Sequence, residues 1–194
     1  MLSRRTFLGS AAACAVTAGA PRPTERIKLR PFTYSQVSLK EGPIGDMYRR
    51  LFAHYLKLDE DRVLKVYRQR VGLPAPGRDM GGWYDADGFV PGHLIGQFIS
   101  GLARVHACTG DAEAAAKARR LVRGYAAAFE KDGEPYASPK APATWACYVL
   151  DKPEIGMLDA ARLAGVKEAR ALLPRIIQSS LRLWFSETLQ HHFR

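Results

Sequence analysis

The sequence predicts an all-α chain built from helix pairs, and three observations carry that prediction. Apolar residues recur at helical spacing in one window after another. Glycine or proline follows the last apolar residue of most windows, and an acidic residue often opens the next. Nowhere does strict apolar–polar alternation run long enough to specify a strand. An internal echo sharpens the reading. Ala107-Cys108-Thr109-Gly110-Asp111-Ala112-Glu113-Ala114 resembles Arg162-Leu163-Ala164-Gly165-Val166-Lys167-Glu168-Ala169, an offset of about 55 residues. Each segment stops a helix at a glycine suited to a left-handed cap and starts another within a few residues. The offset matches one helical hairpin plus a loop, so the chain should hold about three hairpins.

The elements follow in order. Pro21 to Pro43 is proline-spaced and reads as extended, giving a lead-in segment over 21–45 and a helical domain over 46–194. The first helix places Leu51, Tyr55 and Leu58 on one face, with Met47 and Phe52 alongside and Arg49, Arg50 and Lys57 pointing outward. Asp59 or Asp61 caps a second helix with a buried stripe of Val63, Leu64, Tyr67 and Val71, which Gly72 and Pro74 terminate. Residues 72–92 form a long Gly/Pro/Asp loop, which a compact domain keeps chiefly for function. A third helix is expected from about Gly92 to Cys108 and a fourth from Asp111 to Lys131. After a turn-rich stretch from Gly133 to Pro142, a fifth spans Thr144 to Ala164 with a break at Pro153, and a sixth begins near Val166.

With 47% hydrophobic residues in 194, the chain is neither disordered nor fibrous. The net charge of +10 raises nucleic acid or an anionic membrane as partners. The cations are scattered, however, and no recognition-helix, zinc-finger or RNA-binding pattern accompanies them, so no nucleic-acid partner is expected. Ser3-Arg4-Arg5-Thr6-Phe7-Leu8 followed by an alanine-rich run to Ala20 reads as a twin-arginine leader over 1–20. Its apolar run is too short for a membrane span, so export to the periplasm or medium is expected, with no stable membrane insertion after cleavage. Lipidation at Cys14 and a Cys108–Cys147 disulfide are open readings. Both mature cysteines sit among apolar helical neighbours, where a lone thiol behaves as a small buried hydrophobe. No CxxC or HxxxH spacing offers a metal site.

Four blocks carry a resemblance. Val37-Ser38-Leu39-Lys40-Glu41-Gly42-Pro43 and Leu58-Asp59-Glu60-Asp61-Arg62-Val63-Leu64 are the first two. Val71-Gly72-Leu73-Pro74 through Gly81-Gly82-Trp83 is the third, and Tyr148 through Lys152 to Gly156-Met157-Leu158-Asp159-Ala160 the fourth. In this order, over Phe32 to Leu173, they resemble the N-terminal part of the catalytic domain of glycoside hydrolase family 127, the β-L-arabinofuranosidase-like enzymes. The resemblance implies a partial (α/α)6 toroid and hydrolysis of terminal arabinofuranosides or related plant-type sugars. It also implies a cysteine nucleophile beside a zinc ion held by further cysteines and a glutamate. Nothing in this sequence matches that cluster. The expectation is therefore a truncated chain, inactive alone, with no cofactor of its own. A non-catalytic helical module binding sugar or protein is the alternative, and an open arc of hairpins would favour self-association.

Carbohydrate is thus the expected partner, and Trp83, Tyr84 and His93 the first residues to line its cleft. An exposed aromatic ring offers a flat apolar face to a sugar, and Tyr84 adds a hydroxyl. Trp83 could equally plug the end of the helical core. His93 stands just beyond the loop, at the first histidine of the family's G-H-x-x-G-H-Y-L-S-A pattern, whose second histidine is Gln97 here. Asp151 and Lys152 are weaker candidates from the fourth block, and Asp85 and Asp87 read as turn residues.

Overall fold

Helix ends explain the architecture better than helix interiors do. The computed structural model describes residues 29–137 and 143–192, with side chains described outside 143–147 and 183–192. Among these residues lie six α-helices and no strand: α1 (Pro43–Lys57), α2 (Glu60–Arg70), α3 (Ile95–Thr109), α4 (Ala112–Asp132), α5 (Ala143–Leu163) and α6 (Lys167–His192). Short 3-10 turns occur at Tyr34–Gln36 and Gly82–Tyr84. Asp59 caps α2 by accepting the Asp61 N–H at 2.9 Å, and Asp111 caps α4 by accepting the Ala114 N–H at 2.8 Å. The repeated glycines do what the echo requires: Gly110 closes α3 at φ +74° and Gly165 follows α5 at φ +63°. Both lie in the left-handed region, where a Cβ is strained.

Links this short reverse the chain, and α3–α4 and α5–α6 pack as hairpins, whereas α1 shares little contact with α2 and rests on α3 and α4. Packing then runs between alternate helices. α3 lies along α5, α2 along α4 and α4 along α6, so odd and even helices form two layers. This side-by-side stacking of hairpins is the packing of an α/α toroid, and the described helices are part of one. The core fills the space between the layers, with Leu64, Tyr67, Ile99, Leu121, Tyr125 and Met157 fully buried.

The closest approach is where α3 crosses α5. A Cβ on Gly96 would sit 1.7 Å from the Lys152 carbonyl oxygen, and one on Gly156 would sit 2.7 Å from the Gly96 Cα. Only hydrogen fits at either place.

Three expectations need correction. α5 is not broken at Pro153 but continues through it. The proline removes one intrahelical donor, yet Val149 and Leu150 before it and Met157 and Ala160 after it are all buried along the same helix. Burying several such side chains outweighs one lost bond, at roughly 1.5–3 kcal/mol for each large one. The apolar stripe of α1 is only partly covered: Met47 and Leu51 are 60% and 55% exposed, while Phe52, Tyr55 and Leu58 are half-buried. Cys108 is a free, exposed thiol at the end of α3, not a buried one. The Cys147 side chain lies outside the described ones, as do residues 1–20, on which the leader reading falls.

The chain divides into two units, Met1–Phe32 and Thr33–Arg194. Of the first, the described residues 29–32 are exposed. In the second, a buried cation ties α1 to the rest. Lys117 of α4 is 5% exposed and donates to the carbonyls of Leu56, at 2.8 Å, and Leu58. It thereby satisfies acceptors that a helix end leaves open, and burial lowers its pKa.

Candidate functional site

The loop from Val71 to Leu94 is long but tightly tied, and the tying explains which side chains it exposes. It leaves α2 through paired bonds, Leu73 N–H to the Arg68 carbonyl at 2.9 Å and Gly72 N–H to the Gln69 carbonyl at 3.2 Å. Lys65 donates to the Gly77 carbonyl at 3.0 Å and pairs with Asp79 at 2.8 Å, while Arg62 donates to the Asp79 carbonyl at 2.8 Å. The Asp85 carboxylate accepts the N–H groups of Met80 and Gly81 at about 3 Å. That bond folds Gly82–Tyr84 into its 3-10 turn, so Asp85 is the turn residue its type predicts. The returning strand of loop then docks on this turn: Val90 N–H reaches the Trp83 carbonyl at 3.1 Å and Gly92 N–H the Tyr84 carbonyl at 3.0 Å. A Cβ at Gly88 would lie 2.6 Å from the Gly82 carbonyl oxygen, which leaves no room for a side chain at this closure.

Buried tyrosines fasten the loops to the helices. Tyr84, 2% exposed, donates to the Val63 carbonyl at 2.6 Å. Tyr67 donates to the Gly92 carbonyl at 2.9 Å, and Tyr125 to the Pro135 carbonyl at 2.7 Å. Burial pushes all three hydroxyls well above their ordinary pKa. They are neutral donors at any physiological pH.

With the backbone so held, Trp83 projects outward. It is 64% exposed, and its ring centroid lies 5.3 Å from that of Phe89, tilted by 56°. It does not plug the core. Behind it, the Tyr84 and His93 rings pack at 5.9 Å. His93 Nδ1 lies 2.7 Å from the Val90 carbonyl, which accepts only if Nδ1 carries the proton. In the neutral ring this arrangement makes Nε2 the acceptor, and the ring is half-buried.

The expected site residues therefore divide. Trp83, Tyr84 and His93 form one cluster, but the Tyr84 hydroxyl is committed to α2 and only Trp83 presents a broad open surface. Phe89, half of the aromatic pair, escaped sequence reasoning. Its signal was an aromatic six positions after Trp83 in a loop that turns back on itself. Asp151 and Lys152 pair with each other at 2.8 Å on α5. Lys152 also donates to the Tyr148 carbonyl at 2.8 Å and lies 3.8 Å over the Tyr148 ring. Their helix meets the first turn of α3 through Gly96, three residues beyond His93. Gln97, at the motif's second histidine, is exposed. Below the crossing, Ser100 donates to Asp159 at 2.6 Å, and Arg104 bridges Asp159 at 2.8 Å to the Tyr34 hydroxyl.

These features can be set beside known proteins. Residues 36–178 match the family described as Beta-L-arabinofuranosidase, GH127 catalytic domain. The chain belongs to that family. The match spans the helices from α1 into α6 and includes the whole Trp83 loop. No curated protein matches the chain. Membership in glycoside hydrolase family 127 makes carbohydrate the substrate class. The zinc centre implied by the family finds no fit here: among the described residues no group of three or more His, Cys, Asp or Glu could hold a metal ion. Cys108 stands alone at the surface. No catalytic step is assigned to these residues.

Proposed function

We propose that the loop between α2 and α3 is the sugar-binding wall of a glycoside hydrolase acting on terminal arabinofuranosides or related plant-type sugars. The observation that carries this reading is Trp83, a large aromatic surface held open by a turn that the Asp85 carboxylate and the Val90 and Gly92 N–H groups tie down. Trp83 and the half-exposed Phe89 together form a contiguous open aromatic patch, and patches of this kind mark binding sites. A sugar's C–H face stacks on such a ring, and the tilted Phe89 ring makes the platform two-sided. His93, whose ring is held at Nδ1 by the Val90 carbonyl, turns its Nε2 edge to a hydroxyl as donor or acceptor. Tyr84 supports the reading as a positioning residue, because its bond to Val63 fixes the turn that carries Trp83.

Binding tests this without requiring turnover. Trp83→Ala, in the full chain, should abolish quenching or shift of tryptophan fluorescence on titration with arabinofuranosyl oligosaccharides and weaken affinity at least tenfold by calorimetry. Its melting temperature should stay within roughly 2 °C of the parent, since an exposed side chain contributes little to stability. Unchanged affinity would remove Trp83 from the site and with it the reading.

A further inference from the structure

A second pocket lies at the other end of the same loop, and its chemistry is unlike the aromatic platform. A cavity of about 340 Å³ is lined by His54, Lys57, Leu58, Asp59, Arg62, Gly77 and Arg78. That volume is at the small end of the range for ligand pockets. We propose that it binds an oxyanion, either free inorganic phosphate or the carboxylate of an acidic saccharide.

Charge makes the case. His54 and Lys57 come from the last turn of α1, Arg62 from the first turns of α2, and Arg78 from the loop. Three fixed positive charges and an imidazole thus face one space, and mutual repulsion disfavours such a cluster unless an anion neutralises it. Among the described residues no free carboxylate faces it, the neighbouring Asp79 being paired with Lys65 at 2.8 Å. Asp59 is the one acidic group in the lining, and its carboxylate is engaged in capping α2 through the Asp61 N–H. The acids next to it are drawn off by other cations, Glu60 to Arg120 at 2.8 Å and Asp61 to Arg68 at 2.5 Å.

Arg62 gives the pocket its preorganisation. One Nη donates to the Asp79 carbonyl at 2.8 Å, which holds the guanidinium, yet its Nε is buried with no acceptor among the described residues. An unsatisfied N–H on a cation is costly, and an oxyanion seated against the guanidinium would supply the acceptor that Nε lacks. Gly77 closes the floor: a Cβ there would meet the Arg62 backbone nitrogen at 3.0 Å, so the loop lies directly on the start of α2. The inference stands apart from the Trp83 reading, since it uses none of the same side chains.

Phosphate binding is the direct test, using the full chain, with sodium phosphate titrated against chloride at matched ionic strength. Phosphate should raise the melting temperature saturably and broaden the 31P resonance. In the double variant Lys57→Gln/Arg78→Gln, whose side chains make no other bond among the described residues, the dissociation constant should rise at least tenfold. A control carrying the same charge loss elsewhere, Arg50→Gln/Arg119→Gln, should bind as the parent does. A uronic acid oligosaccharide and its carboxyl-reduced counterpart form the second arm. Binding of the acidic form alone assigns the pocket to an acidic saccharide, and phosphate binding without it assigns the pocket to free oxyanion. No response to either probe, or equal losses in pocket and control variants, would overturn the proposal.

Discussion

The crossing of α3 on α5 and the docking of α1 are opposite solutions to holding a helix in place. At the crossing, Gly96 and Gly156 bring two backbones into contact, and Ile95 and Met157 beside them are fully buried. α1 buries only Gly45 of its 15 residues, although its apolar and polar positions segregate cleanly. It is held by polar stitches, chiefly Lys117 to the Leu56 and Leu58 carbonyls, and by partial cover of Phe52 and Tyr55. Helical periodicity thus reports that a face could be buried, not how much of it is. What decides burial is whether the neighbouring backbone can come close, and small residues set that.

The sharpest way to break this contrast is Gly96→Ala. Its methyl would lie 1.7 Å from the Lys152 carbonyl oxygen, a backbone atom that cannot step aside without moving α5. Overpacking of this kind costs about 3 kcal/mol, or roughly 10 °C in melting temperature for a domain of this size. Calorimetric melting checks it, and a loss of under about 2 °C would show that the two helices can part at the crossing without cost. The same shift would move Lys152 relative to the start of α3, so sugar binding should weaken with stability.

Lys117→Met should have a smaller and more local effect. Methionine keeps the buried stem but leaves two carbonyls without donors, at about 2 kcal/mol. Because α1 otherwise rests lightly on α3 and α4, the loss should appear as faster amide exchange in α1 with α3 and α5 unchanged. Equal loss of protection across all helices would mean that α1 unfolds only with the whole.

How much of this was legible in the sequence follows from the same contrast. Caps and stops are local chemistry, so Asp59, Asp111, Gly110 and Gly165 fall where their residue types place them. The buried stripe of α2 was legible too, since Val63, Leu64 and Tyr67 all reach the core. Pro153 misled because propensity sees one lost bond and not the buried flanks that outweigh it. The third helix begins at Ile95 rather than near Gly92, because the loop's bonds from Gly92 and His93 pull those residues into a turn. At the candidate site, Trp83 and His93 were legible as a loop-to-helix pair. Phe89 and the anchoring roles of Tyr67 and Tyr84 were not, since each depends on a partner distant in sequence or on a turn that pattern alone does not close.

The smallest expected effect tests the weak side of the contrast. Leu51 is 55% exposed and borders an apolar recess of about 140 Å³ lined by Tyr48, Phe52, Tyr55, Gly101, Leu102 and Val105. Truncating it to serine removes apolar area that is already largely in water, so transfer terms amount to less than about 0.5 kcal/mol. Leu102, 1% exposed on the opposite wall of the same recess, should cost about 2–5 kcal/mol when changed to alanine. Urea unfolding of the two variants side by side measures the ratio. A Leu51→Ser loss comparable to that of Leu102→Ala would mean that the outer face of α1 is covered in solution. Its helical periodicity would then be recording a real interface and not an unused one.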